Sequence, residues 1–361
     1  MLSALISILC LGLLVVVHEL GHFVVARWSG VRILRFSVGF GPQLLAWTRG
    51  HTEYAISAIP LGGYVKMAGE QSSEASHQPW EYLSKPVGTR AGIIVAGPVV
   101  NYLVALLTLW VVFVIGYPEL LPVVGKVVDG MPAQAVGLQT GDRIQAINDR
   151  EIRTWEEMTK VIYEAPQQPL TLRIDRAGAP QTTVTVTPKP KSMTDPFGRQ
   201  KTVGMIGISP HGDFESYRVG PLEAVGKTIR QQNEWIAHTM LAFWSMATGR
   251  IALNESVTGP IGIVYLTSEA VRMGIAPLLF LISLFSLSLA IFNLFPIPIL
   301  DGGHLFFLLL EKLRGRPVSL NVQERSAQVS FVLLVALVLV ICVNDVNRFG
   351  LVDKVVGWVR K

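Results

Sequence analysis

Residues 11–26 read LGLLVVVHELGHFVVA, an apolar run with His18, Glu19 and His22 set into it. On an α-helix, positions i and i+4 share a face, so both imidazoles can point at one metal ion. Glu19 stands beside them and can accept a proton from a metal-bound water. Imidazole nitrogens are borderline-soft donors that suit zinc. The spacing alone recurs by chance in long chains; its setting gives it weight. Ionisable groups inside an apolar span are costly and usually face an interior cavity. Left as a buried polar network, or snorkelling from the helix end, the three would still need partners.

That span is one of four. A bilayer core takes about 20 apolar residues, and the chain offers such runs at 2–26, 92–117, 276–310 and 325–345. The second contains no charged residue, and the third is interrupted by Pro296, Pro298 and Asp301. The first lacks a basic start and a small-residue cleavage site, so it reads as part of the mature protein and not as a signal peptide. Over all 361 residues, 50% are hydrophobic and only 16% charged, against roughly 25% in soluble domains. The mean hydropathy is +0.44. These values exclude a wholly soluble chain and a disordered one. The net charge of +5 reads as cytoplasmic-side Lys/Arg, so no nucleic-acid partner is expected. Cys10 and Cys342 lie in apolar runs near opposite ends of the chain, which leaves no disulfide framework and no cysteine zinc site.

Basic residues set the expected orientation. Arg27, Arg32, Arg35, Arg49, Lys66, Lys85 and Arg90 follow the first span, and Lys312, Arg314, Arg316 and Arg325 follow the third. Loops 27–90 and 311–325 are therefore expected in the cytoplasm, with both termini and the long segment between spans two and three outside. Within 27–90, stretches 31–40, 53–59 and 63–67 have strand-like content, broken at Gly39, Gly41-Pro42, Arg49-Gly50 and Gly62-Gly63. A small sheet dipping into the membrane interface is expected, where irregular backbone must be buried or line a wet cavity.

Residues 118–212 change character, with β-rich runs at 123–128, 143–147, 170–175 and 182–187. Thr154, with Glu157 three residues on, signals a capping box before a helix carrying Met158, Val161 and Ile162. With Gly137-Leu138, Gly141-Asp142-Arg143-Ile144, Ile147-Asn148, Ile152 and Trp155, this stretch resembles a PDZ domain of the circularly permuted bacterial type. The resemblance implies a groove for peptide C-termini between the strand at 123–128 and the helix from Thr154 to about Tyr163. Residues 213–275 combine an amphipathic helix at 221–248 with a Gly259-Pro260 turn and read as an interfacial connector.

A catalytic zinc takes three protein ligands and keeps one open position. Asp301 is a candidate third ligand, set after two prolines that interrupt helical bonding and before Gly302-Gly303, which permit close approach. It could instead cap a helix end, and His304 is a rival ligand. At this point the chain resembles the site-2 protease family of intramembrane zinc metalloproteases. The likeness rests on His18-Glu19-x-Gly21-His22 and on Asn293-x-x-Pro296-x-Pro298-x-Leu300-Asp301-Gly302, in that order. It covers essentially the whole chain. It implies one zinc per chain on His18, His22 and Asp301, Glu19 as general base, and Asn293 holding the substrate or its oxyanion. The implied substrates are single-span membrane proteins, such as anti-sigma factors or remnant signal peptides, already cut outside the membrane, with lipid as the surrounding partner. Some members carry two PDZ domains; here one is read.

The expected fold is thus an α-helical polytopic membrane protein with four transmembrane helices, a membrane-associated β segment and one inserted PDZ domain. The parts are 1–117 and 276–361 as the catalytic membrane core, 118–212 as the PDZ domain and 213–275 as the connector. Two other readings are a membrane-tethered PDZ adaptor without catalysis, which leaves Glu19 without a reason, and a metal transporter. Transporters often show broken helices in two related halves, whereas this chain has one broken span and no repeat.

Overall fold

The structure, a computed structural model, describes residues 2–71, 76–178, 180–251 and 258–348. In chain order, α1 (Leu2–Trp28) leads to β1 (Ile33–Arg49), β2 (Thr52–Met67) and α2 (Val87–Ile115). Then come β3 (Tyr117–Leu120), β4 (Val124–Val127), the single turn α3 (Pro132–Ala135), β5 (Arg143–Ile147), β6 (Arg150–Glu151) and α4 (Trp155–Tyr163). Strands β7 (Leu170–Asp175), β8 (Thr182–Val186), β9 (Lys189–Thr194), β10 (Gln200–Met205), β11 (Ile208–Pro210) and β12 (Phe214–Tyr217) follow. Helices α5 (Pro221–Ala247), α6 (Pro260–Met273), α7 (Ile275–Asn293), α8 (Asp301–Arg314) and α9 (Leu320–Arg348) come last. Residues 252–257 of the expected connector and the C-terminal stretch 349–361, expected outside the membrane, lie beyond the described residues.

The chain divides into two compact units. The first comprises Met1–Val112, Thr228–Gln232 and Val257–Lys361; the second comprises Phe113–Lys227 and Asn233–Ser256.

In the first unit, Leu5–Trp28, Val87–Ile115, Ile275–Asn293 and Leu320–Val346 are long and apolar enough to cross a bilayer, which makes this a polytopic membrane protein. The third predicted span is cut where its prolines fall: α7 stops at Asn293, and α8 starts afresh at Asp301. Helix α9 turns Val329, Leu333 and Val340 outward, as lipid-facing residues do. It is tied down by Asp345, which is fully buried and accepts from the N–H groups of Gly259 (3.2 Å) and Gly262 (2.9 Å). A carboxylate from one helix thus satisfies the open N-terminus of α6.

The β segment departs from the expected separate pieces. Its glycines bend the strands without ending them, because Gly39, Gly41 and Gly62 take φ of 90°, 84° and 131°, open to glycine at little steric cost. Residues 33–38 pair with 63–67 on one side (Val38 with Gly63) and run beside 53–56 on the other (Val38 with Ile56). Residues 45–49 return along 52–56 (Arg49 with Thr52). Phe40, Leu44, Trp47 and Leu61 stay exposed, a surface suited to an apolar medium and unsuited to water. The base of this sheet packs against α1, α2 and α8 through Ala26, Val31, Ile33, Met67, Ile93 and Leu308.

The second unit holds a four-stranded antiparallel sheet in the order β6-β5-β7-β8 and three two-stranded pairs, β11-β4, β9-β10 and β12-β3. Strand β7 alternates buried and exposed residues, as a sheet with one wet face requires. Thr154 Oγ1 accepts from Glu157 N at 3.2 Å, as the sequence predicts. The reciprocal bond departs from the expected box, since Glu157 Oε2 reaches Arg153 N, one residue before the cap. Asp142 is buried and takes Arg176 bidentately at 2.7 and 2.8 Å, while Arg176 also reaches the Gly137 carbonyl. The Gly137–Asp142 turn is locked in this way. The expected groove strand needs correction: β4 has both edges in use. On one side it pairs with β11; on the other, Val124 exchanges bonds with Gly141 and Asp142. The second edge of β11 pairs with no strand among the described residues.

Candidate metal centre

His18 and His22 lie one turn apart on α1 and are 6% and 7% exposed. Their Nε2 atoms are 3.1 Å apart. Asp301 Oδ2 completes a triangle, 2.9 Å from His18 Nε2 and 3.4 Å from His22 Nε2. Among the described residues this is the one cluster of three His, Cys, Asp or Glu side chains with ligand atoms so close.

Local sequence explains the convergence. Leu300 is the extended N-cap of α8, so Asp301 stands in the first turn with no capping bond from that N-cap side chain. A carboxylate there is favoured by the helix dipole. Gly302 and Gly303 let this turn sit on the bend before it, because a Cβ at Gly303 would meet the Pro298 Cα at 2.5 Å. From α2, Gly97 underlies the histidines; a Cβ there would stand 2.5 Å from His22 Nε2 and 2.7 Å from His18 Nε2. Pro98 removes the N–H that would close its turn of α2. One residue before the carbonyl so freed, Ile93 O accepts from His22 Nδ1 at 2.8 Å.

The residues fit a zinc ion. A tetrahedral ion with ligands at about 2.1 Å spaces them by roughly 3.4 Å, close to the observed triangle. Asp301 Oδ2 is buried with no aligned hydrogen-bond donor, a group that needs a positive partner. His22 already spends Nδ1 on a carbonyl, which leaves the Nε2 lone pair free to ligate.

Glu19 shares a cavity of about 720 Å³ with His22 and Asp301. Tyr64, Val65 and Met67 of β2 line the same cavity, so the outer edge of 63–67 faces it. His304 also lines the cavity but stands outside the ligand cluster. Asn293 ends α7, half-buried and away from the cavity lining, and no hydrogen bond joins it to the cluster among the described residues. Two site neighbours escaped the sequence reading, Gly97 and Asn101. The available signal was a lone asparagine inside an apolar span.

The sequence model of peptidase family M50 matches residues 6–337. A protein of Rhizobium meliloti (strain 1021) that carries the name zinc metalloprotease is 36% identical over 93% of this chain and 94% of its own length. Protease RseP of Yersinia pestis is 32% identical, covering 94% of this chain and 97% of itself. The regulator of sigma-E protease RseP of Salmonella typhimurium (strain 14028s / SGSC 2262) is 31% identical with the same coverage. The Yersinia alignment runs over 454 positions, more than this chain has residues, so that relative carries inserted sequence absent here.

Proposed function

The chain belongs to peptidase family M50, the site-2 proteases, and on that premise we propose that His18, His22 and Asp301 hold its zinc and that Glu19 is the general base. The protein is an intramembrane zinc metalloprotease of the multi-pass inner-membrane type. The observation that carries the residue assignment is the convergence of three ligand atoms beside Glu19 in a cavity among apolar helices. Zinc, when bound, supplies Lewis acidity to water and to the scissile carbonyl. Glu19 takes the proton of the attacking water and passes it to the leaving amine.

A substrate helix hides its carbonyls in intrahelical bonds and must unwind before it is cut. The edge at 63–67 faces the cavity and can hold the unwound stretch as an added strand. Asn293 is kept as the contact to substrate or oxyanion that the resemblance assigns. Water reaches the site from the side of the basic loops, since Arg90, Glu311 and Gln323 line the same cavity.

Residues 118–212 are read as a PDZ domain, supported by the capped α4, the four-stranded sheet and the Gly137–Asp142 turn. A peptide C-terminus would add to β11. The domain and both termini are placed outside, with loops 27–90 and 311–325 in the cytoplasm. Substrates are membrane-bound proteins, of which anti-sigma factors trimmed outside the membrane are the favoured class, given relatives named as regulators of sigma-E protease. The domain then acts as a filter that blocks bulky untrimmed substrates.

Metal analysis of the purified protein together with cleavage of a single-span substrate tests the chemistry. One zinc per chain and a cut within the span are expected; cleavage that survives complete zinc removal would refute it. A cysteine placed in 312–325 should label only from the cytoplasm, and one in 180–200 only from outside.

A further inference from the structure

We infer that Asn101 is a positioning residue for His18: its side-chain carbonyl holds the imidazole in the tautomer that leaves Nε2 free for the metal. The inference rests on the reading of His18 as a ligand.

Asn101 is fully buried in α2, one turn after Gly97, and its amide lies 3.3 Å from His18 Nδ1. With the amide nitrogen facing the imidazole, Oδ1 is buried without a partner. An asparagine amide can be turned by half a rotation with no change of shape, so the choice must come from chemistry. If Nδ2 donates to Nδ1, the imidazole proton sits on Nε2. That atom is 2.9 Å from Asp301 Oδ2 and 3.1 Å from His22 Nε2, and once protonated it has no lone pair to offer an ion. With the amide turned, Oδ1 accepts Nδ1–H and the Nε2 lone pair points into the cluster. His22 is held in the same sense, with its Nδ1 against the Ile93 carbonyl. Each histidine then has an oxygen acceptor supplied by α2.

The helix that carries Asn101 is itself fixed. Ser286 Oγ of α7 donates to the Asn101 carbonyl at 2.7 Å, and one turn on Ser283 Oγ donates to the Ala105 carbonyl at 2.7 Å. Gln232 Nε2 bonds both Ala105 O (3.2 Å) and Ser283 Oγ (3.0 Å). These polar groups lie at the centre of apolar helices, where each would be costly unless bonded.

The test measures zinc affinity of the full chain in detergent by chelator competition, with the visible spectrum of the cobalt-substituted protein as a second readout. Asn101→Leu keeps the branched shape without an acceptor, and Asn101→Ala removes the acceptor with no added bulk. Both should weaken zinc by about 10–100-fold. Asn101→Asp keeps an acceptor oxygen in either protonation state and should stay within a few-fold of the parent protein. Circular dichroism and thermal unfolding of the metal-free forms check that each variant is folded, so that a loss of zinc affinity is read on a folded apoprotein. Wild-type zinc affinity in Asn101→Leu, or equal losses in Asn101→Asp and Asn101→Leu, would overturn the inference. The parent reading is checked apart from it: His18→Ala must lose zinc, and if it does not, the ligand assignment fails whatever Asn101 does.

Discussion

Arg90 grips Glu311 with two N–H···O bonds, Nη1 to Oε2 at 3.2 Å and Nη2 to Oε1 at 2.5 Å, across 221 residues of sequence. The pair joins the first turn of α2 to the end of α8, and Arg90 Nε adds a bond to the Lys85 carbonyl. The helix bearing Gly97 and Asn101 is thereby held to the helix that begins with Asp301. Removing one partner leaves a buried charge and should cost about 3–5 kcal/mol. Arg90→Met with Glu311→Leu should cost less than either change alone. Thermal unfolding of the four proteins checks this, and additive losses would show that the two residues are not coupled.

Glu19→Gln keeps the shape and loses the proton acceptor. Zinc content should stay near one per chain while cleavage falls by about 10²–10⁴-fold. Near-normal cleavage in this variant would remove Glu19 from the role of base.

Asp301 and His304 both line the cavity, but only Asp301 stands in the cluster with the histidines. Asp301→Ala should lose zinc and activity together, because a three-ligand site becomes a two-ligand site. His304→Ala should keep its zinc. Metal analysis with the reverse pattern would exchange the two.

Gly97 is tested by a single methyl group. In Gly97→Ala the new carbon would stand 2.5 Å from His22 Nε2, so an imidazole must move. A displacement of that order costs about 10²-fold in catalysis. Zinc affinity and cleavage should fall while the helix content measured by circular dichroism is unchanged.

Asp142 links the second unit to pH. Burial works to raise its pKa, but the Arg176 guanidinium and the Gln139 N–H outweigh it and hold the carboxyl below its ordinary value. A carboxylate lowered on folding stabilises fully above its unfolded pKa, about 3.9, and loses that contribution as the pH falls through the folded value. Amides of β5 and β7 should therefore lose exchange protection as the pH drops below about 4. Asp142→Asn should flatten that dependence while being less protected at pH 7. A wild-type profile that stays level through acid would refute the linkage.

Sequence alone determined the four spans, the two histidines on one helix face with the glutamate beside them, the break before Asp301, and the strands and cap around Thr154. Each of these depends on local periodicity, on missing backbone donors or on short-range capping, which a chain carries wherever it is placed. Tertiary structure decided the rest. The glycines at 39, 41 and 62 were legible as turns, but a bend that keeps both ladders paired depends on what lies alongside. The occupied edges of β4 follow from its distant partners Gly141 and Ile208. Asp301, and not His304, joins the two histidines in one cluster because of where the first turn of α8 points. Gly97 and Asn101 gained their meaning only once α2 lay under the histidines, because no spacing within α2 records which side chains of α1 will stand above it.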